Sequence, residues 1–160
     1  MKNQAFTLIE ILVAVLIIGI LAAIAVPQYK FAVLKSEYSK LKEYVETIYG
    51  SVQIYYLTNG IWPKKLTDLD IELPGKLVSN DAYIRVSSPA GATCWLWNTG
   101  SSGYVACSFT KFNSTIRYEH NFLGSNNRNC YTEPSAADTF AAKFCQIETG
   151  KTSTSGYYRY

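Results

Sequence analysis

The chain has 160 residues and a formal net charge of +3 at pH 7. That length is enough for one domain plus an extended element, and it is too short for two full-sized domains. So small a net charge does not support a protein that binds nucleic acid or anionic membranes through charge alone.

A large share of the apolar side chains lies near the N-terminus, in residues 6–26, where only Thr7 and Glu10 are polar. A helix of 21 residues is roughly 31 Å long at ~1.5 Å per residue, which matches the hydrocarbon core of a bilayer. One interpretation is a cleaved signal peptide, for which the small residues at 21–25 would supply the cleavage site. The apolar run is longer than the usual signal-peptide core, however. A second interpretation is a single-pass membrane anchor.

Neither interpretation explains Glu10. A carboxylate within a membrane span costs about 2.5–3.5 kcal/mol on insertion scales, so it needs a partner or a function. No other ionisable side chain lies between Phe6 and Val26. The partner of Glu10 is therefore expected to be a group of another molecule or a chain terminus.

The residues around Glu10 resemble the processing signature of type IV prepilins and the related pseudopilins, because residues 1–5 are followed by FTLIE. The resemblance implies that residues 1–5 are a leader peptide, which a prepilin peptidase removes on the cytoplasmic side of the inner membrane. The cut would fall between Ala5 and Phe6, and Phe6 would become N-methylphenylalanine. The family usually has glycine where this chain has Ala5.

The same resemblance assigns an assembly role to Glu10, Gly19 and Pro27 within a hydrophobic transmembrane and assembly helix at residues 6–27. Glu10 would pair with the methylated amine of a neighbouring subunit. Leaving one member of a buried ion pair alone costs about 3–5 kcal/mol, so this pair would enforce the register between subunits. Gly19 and Pro27 lie where the family has residues that loosen the helix.

After Pro27 the apolar residues recur at spacings of three and four, which predicts an amphipathic helix over residues 28–58. These residues are Phe31, Leu34, Tyr38, Leu41, Val45, Ile48, Val52 and Tyr55. Asn59 and Gly60 are expected to end the helix, because both residue types tolerate a left-handed C-cap. Residues 59–81 are predicted to form a loop that connects the helix to a sheet.

Residues 82–160 predict a head domain with an antiparallel sheet. Segments 82–88, 93–98, 104–109 and 115–120 have the composition and spacing of short strands. A hairpin that places Cys94 opposite Cys107 also places Leu96 opposite Val105 and leaves a four-residue turn at 99–102. The predicted fold class is therefore α+β, with a long N-terminal helix packed on a small antiparallel sheet, as the resemblance to pilins also implies.

The four cysteines lie at positions 94, 107, 130 and 145 and form no C-x-x-C pair. A metal site is therefore not expected, and an even number of cysteines favours two disulfides in an oxidising compartment. The hairpin register favours Cys94–Cys107, which leaves Cys130–Cys145. The latter resembles the disulfide-bounded C-terminal region of many pilins. Four cysteines allow three connectivities, and the sequence alone does not choose among them.

Residues 135–145 are expected to form a short helix with Ser135 as its N-cap. The C-terminal residues 157–160 are interpreted either as an adhesive tip or as a last strand that packs on the head. His120, between Glu119 and Asn121 in a predicted strand, is expected to be a surface residue.

No G-x-S-x-G, P-loop, H-E-x-x-H or dinucleotide-binding motif occurs, so neither an enzyme nor a cofactor is expected. The resemblance implies a structural subunit of a bacterial type IV pilus that polymerises with identical or related subunits into a surface fibre. Such fibres serve adhesion, twitching motility or DNA uptake, so DNA and surface ligands are further candidate partners. The precursor would lie in the inner membrane.

Two alternatives within the superfamily stay open. One is the major pseudopilin of a type II secretion system, which would form a periplasmic fibre. The other is a DNA-binding minor pilin of a competence system, which would need a basic surface on the head.

Overall fold

A computed structural model describes residues 7–72, 75–78, 83–86, 91–133 and 139–160. The chain divides into two compact units, one that ends at Lys35 and one that comprises Ser36–Tyr160. The described part of the first unit is helical from Leu8 onward. The second unit contains the remainder of that helix together with the sheet.

The long helix, α1, spans Leu8–Asn59 and contains Pro27. It ends where the sequence predicted, because Gly60 takes the left-handed conformation with φ of 71°. The Gly60 amide donates to the Tyr56 carbonyl at 2.8 Å, which satisfies one of the carbonyls left open at the helix end.

Within the described residues the second unit contains a seven-stranded sheet in which every strand pairs antiparallel with its neighbours in sequence. The strands are β1 (Gly75–Val78), β2 (Tyr83–Val86), β3 (Thr93–Asn98), β4 (Gly103–Lys111), β5 (Ser114–Leu123), β6 (Arg128–Glu133) and β7 (Tyr157–Arg159). A second helix, α2 (Phe140–Thr149), lies between β6 and β7 in the chain. The predicted α+β fold class is confirmed.

Strand β1 lies inside residues 59–81, which were predicted to be a loop, so that prediction was wrong for Gly75–Val78. The four residues of β1 are too few to show the period-two pattern on which strand prediction depends. They are held instead by pairing with β2, where Leu77 lies opposite Ile84. At the C-terminus, Tyr157–Arg159 form the last strand, β7, in which Tyr158 pairs with Cys130 of β6.

The core of the second unit forms between one stripe of α1 and one face of the sheet. From Tyr38 to Val52 the predicted apolar stripe is buried, at no more than 1% exposure per side chain. Burial of a Leu, Ile or Val side chain contributes roughly 1.5–3 kcal/mol, so this stripe is a main source of stability for the unit. The Tyr38 ring packs edge-on against Tyr118 of β5 and Phe144 of α2, with centroids 5.8 and 5.2 Å away.

The register of the β3–β4 hairpin is the one predicted. Cys94 lies opposite Cys107, Leu96 opposite Val105, and the connecting turn comprises residues 99–102. A disulfide joins Cys94 to Cys107, and a second joins Cys130 of β6 to Cys145 of α2. The first bond links adjacent strands, whereas the second fixes α2 to the sheet.

Helix α2 begins later than the sequence predicted. Its N-cap is Thr139, whose hydroxyl accepts a hydrogen bond from the Ala142 amide at 3.1 Å. The prediction that Ser135 caps this helix was therefore wrong, and Ser135 itself lies outside the described residues. Both residue types are good caps. The buried Phe144 and Cys145 fix which turns of this segment are helical.

His120 is buried, at 2% exposure, so its prediction as a surface residue was also wrong. Its ring stacks on Tyr49 of α1 with centroids 3.7 Å apart. Its Nδ1 lies 3.2 Å from a Glu46 carboxylate oxygen, and its Nε2 lies 3.0 Å from Asn126 Oδ1. Tyr49 and Glu46 come from a distant part of the chain, so the sequence around His120 does not reveal them.

Glu46 forms a polar link between α1 and the sheet. Its carboxylate accepts a hydrogen bond from the Tyr118 hydroxyl at 2.7 Å and lies 3.3 Å from Arg128 Nε, in addition to its contact with His120. The hydrogen bond to Glu46 and burial together raise the pKa of the Tyr118 phenol well above its usual range, with burial the larger cause. Tyr118 therefore stays protonated and remains a donor.

Replacing Glu46 by Ala should lower the free energy of unfolding by about 2 kcal/mol, because the buried Tyr118 hydroxyl and His120 ring lose the carboxyl group that both contact. Urea unfolding of the full chain in detergent micelles, followed by tryptophan fluorescence, measures this change. Glu43→Ala is the matched control, since Glu43 lies almost one turn earlier and is exposed. Equal losses in the two variants would contradict the role assigned to Glu46.

Glu119 is buried on the opposite face of the sheet, at 5% exposure. Burial raises the pKa of its carboxyl above 4.5, although Arg117 and a hydrogen bond from Asn129 act in the other direction. The pKa of Glu119 is thus higher in the folded state than in the unfolded state. Its favourable contribution to the free energy of unfolding is therefore complete below about pH 4.5 and is lost as the pH rises through the folded-state pKa.

The stability of the wild type relative to Glu119→Gln should therefore increase as the pH falls from 7 towards 4. The glutamine variant has no ionisable group at this position and provides the reference. Urea unfolding of both proteins across this pH range tests the prediction. A difference that stays constant or shrinks on acidification would show that the Arg117 contact outweighs the burial of Glu119.

Candidate assembly site in the N-terminal helix

Thr7 and Glu10 form a capping box at the start of α1. The Thr7 amide and hydroxyl both donate to the same Glu10 carboxylate oxygen, at 2.8 and 2.6 Å. In return the Glu10 amide donates to the Thr7 hydroxyl oxygen at 3.3 Å. Amide groups at a helix N-terminus lack partners within the helix, so these bonds stabilise the first turn.

The capping box corrects one expectation from the sequence. Glu10 was expected to be partnered by a group of another molecule or by a chain terminus, whereas the Thr7 amide and hydroxyl donate two hydrogen bonds to it. The T-x-x-E spacing of Thr7 and Glu10 is the sequence signal for this arrangement, and the sequence analysis missed it. Thr7 carries no charge, however. In the described part of the first unit, the nearest basic residue in sequence is Lys30.

The apolar surface of α1 before Pro27 is uncovered. Leu8 is 77% exposed and Ile18 is 64% exposed, and every residue from Leu8 to Val26 is classed as exposed. By length and composition this helix is able to cross a membrane. A helix with apolar side chains on all sides needs lipid or other helices around it.

Gly19 and Pro27 both lie inside α1, which continues through them. A Cβ added at Gly19 would meet no atom within 4 Å outside the helix itself, so contacts within the single chain do not require glycine. Glycine leaves room for another backbone to approach at that point. Ala5 and Phe6 lie outside the described residues, and their roles stay predictions.

Among the described residues no group of three or more His, Cys, Asp or Glu side chains is placed to hold a metal ion. The chemistry available at the start of α1 is therefore that of one carboxylate, a capping hydroxyl and a long apolar surface. The carboxylate can bind a cationic group, and the apolar surface can be buried against other helices. Both properties suit a helix that assembles with other chains.

Comparison with known proteins identifies the N-terminal segment. Residues 1–26 match the family model described as the prokaryotic N-terminal methylation motif. The chain is 38% identical over 69 residues to the type IV major pilin protein PilE of Neisseria gonorrhoeae. It is 43% identical over 100 residues to the fimbrial protein EcpC of Eikenella corrodens.

The chain is similar to type IV pilins in its N-terminal part. The alignment with PilE covers 43% of this chain and 41% of PilE, and that with EcpC covers 61% of this chain and 65% of EcpC. The chain thus spans less than two thirds of the length of these relatives. It is also 38% identical over 55 residues to the type IV major pilin protein PilA of Myxococcus xanthus, which covers 34% of this chain and 25% of PilA. No solved structure matches the chain.

Replacing Thr7 by Val should fray the first turn of α1, because the Glu10 carboxylate loses its hydroxyl donor and the Glu10 amide loses its acceptor. Loss of an N-cap costs about 1 kcal/mol, which corresponds to roughly fivefold faster exchange of the amides in the first turn. Hydrogen exchange of the full chain in micelles measures this rate.

Thr58→Val is the matched control, since the Thr58 hydroxyl donates to the Ile54 carbonyl near the other end of the same helix. That substitution should leave exchange at Ile9 and Glu10 unchanged. If the amides of the first turn exchange at the same rate in Thr7→Val and in the wild type, the capping box does not stabilise this turn.

Proposed function

We propose that this chain is the structural subunit of a type IV pilus and polymerises through α1 into a fibre on the bacterial surface. The observation that supports the proposal most directly is the uncovered apolar part of α1 before Pro27, whose single carboxylate, Glu10, lies within the matched methylation motif. The major pilins among its relatives favour a pilus over a secretion pseudopilus. The role is structural and not catalytic.

In this proposal the precursor lies in the inner membrane with α1 as its membrane span. A prepilin peptidase removes residues 1–5 and methylates the amine of Phe6. The cut between Ala5 and Phe6 exposes a new cationic amine two residues before Leu8, where α1 begins. The apolar surface of α1 then passes from lipid into contact with the helices of neighbouring subunits, so it never needs to enter water.

Glu10 supplies the register in this assembly. Its hydrogen bonds to Thr7 orient the carboxylate without neutralising its charge. The methylated amine of an adjacent subunit provides the missing positive charge. Because an unpaired charge in a low-dielectric fibre core is costly, subunits offset by one position would be disfavoured by about 3–5 kcal/mol.

Replacing Glu10 by Ala should leave the pilin in the inner membrane and reduce the yield of sheared surface fibres at least tenfold, because the amine of the adjacent subunit loses its anionic partner. Glu10→Gln tests charge specifically, since it keeps an acceptor for Thr7 and removes the negative charge. Glu72→Ala is the control for an exposed carboxylate in the second unit. Normal fibres from Glu10→Gln would reject the charge pairing.

Mass spectrometry of wild-type fibres completes this experiment. The expected N-terminus is methylated Phe6, and peptide maps before and after reduction should contain the 94–107 and 130–145 linkages. A chain in the fibre that starts at Met1 would contradict the proposed processing.

A further inference from the structure

The second unit has an aromatic surface that the assembly role does not use. Period-two alternation turns Cys94, Tyr118, Cys130 and Tyr158 towards α1 and α2, so the residues between them face the other side of the sheet. Among the described side chains of that outer face are five aromatic residues and Arg117, and we call this group the outer aromatic strip. Its members are Trp95, Trp97, Tyr104, Arg117, Tyr131 and Tyr157.

The strip crosses the sheet from β3 to β7. Trp97 lies opposite Tyr104 at one end, and Arg117, Tyr131 and Tyr157 are successive cross-strand neighbours at the other. Four strand spacings of ~4.8 Å make it roughly 20 Å wide. The outermost rings, Trp97 and Tyr157, are 47% and 46% exposed. That width suits a short oligomer better than a single small molecule.

The rings at the β7 end are held in place before any ligand binds. The Arg117 guanidinium carbon lies 4.1 Å from the centre of the Tyr131 ring and 5.8 Å from those of Trp95 and Tyr157. Arg117 Nη2 donates to the Tyr157 hydroxyl at 3.0 Å. A surface fixed in this way loses little side-chain entropy when a ligand binds to it.

The charge at the centre of the strip is balanced. Arg117 Nε lies 3.2 Å from a carboxylate oxygen of the buried Glu119, and the other oxygen accepts from Asn129 Nδ2 at 2.9 Å. Sites for single-stranded nucleic acid combine stacking rings with a positively charged groove. Here the arginine within the strip is already paired, which disfavours a polyphosphate ligand.

We propose that the outer aromatic strip binds an uncharged oligosaccharide. The apolar C–H faces of pyranose rings stack on the electron-rich faces of Trp97, Trp95 and Tyr157. The sugar hydroxyls exchange hydrogen bonds with the tyrosine hydroxyls and the remaining guanidinium N–H groups at the strip. The proposal concerns the sheet of the second unit and does not depend on polymerisation through α1.

The test uses the full chain in detergent micelles on an array of uncharged oligosaccharides, with oligothymidine as a second probe. We expect the wild type to bind at least one of the oligosaccharides. Trp97→Ala and Tyr157→Ala should each weaken that binding about tenfold, because each removes one stacking surface. Both residues are about half exposed, so the two variants should keep the unfolding midpoint of the wild type.

Two control variants test whether binding depends on any exposed aromatic ring or on positive charge. Tyr29→Ala removes an exposed aromatic ring from the first unit and should leave binding unchanged. Arg159→Gln removes an exposed cation at the edge of the sheet and should also have no effect on an uncharged ligand. The proposal is overturned if no oligosaccharide binds or if Trp97→Ala and Tyr157→Ala bind as the wild type does. The proposal would also be overturned, in favour of nucleic acid, if the chain preferred oligothymidine and if that binding weakened both with added salt and in the Arg159→Gln variant.

Discussion

The uncovered apolar surface of α1 is the constraint on which the rest of the molecule depends. Thirteen large apolar side chains between Leu8 and Val26 are exposed. At about 0.3–0.6 kcal/mol each, they favour membrane insertion by roughly 4–8 kcal/mol, which exceeds the cost of one carboxylate at about 2.5–3.5 kcal/mol. Glu10 therefore does not prevent insertion. It leaves a residual penalty that hydrogen bonds from Thr7 reduce and that a cationic partner would offset.

The second unit is stabilised without help from that apolar surface. Its core lies between the buried stripe of α1 and the inner face of the sheet, and two disulfides join strands and helix on the same side. Glu46 adds a polar link in which one carboxylate serves Tyr118, His120 and Arg128. The fold of the second unit therefore rests on contacts within that unit.

Much of this architecture could be predicted because it depends on local patterns. Helical periodicity fixed the buried stripe of α1, and the positions of Cys94 and Cys107 fixed a hairpin register. The failures have non-local causes. His120 is buried because Tyr49 and Glu46, more than 70 residues earlier, pack against it. The start of α2 depends on how Phe144 and Cys145 dock on the sheet. A prediction based on cap preference alone therefore chose Ser135 as the N-cap instead of Thr139. The Thr7–Glu10 cap is local and was readable, but Glu10 was interpreted only as a charge in a membrane.

The edges of the sheet bear on how copies of this chain can associate with one another. Within the described residues the two outermost strands, β1 and β7, have four and three residues, whereas β4 and β5 have nine and ten. A long unpaired edge offers backbone groups to any neighbouring chain and promotes amyloid-like aggregation. Short edges offer few such groups. Association of two copies through the edges of their sheets is thereby disfavoured.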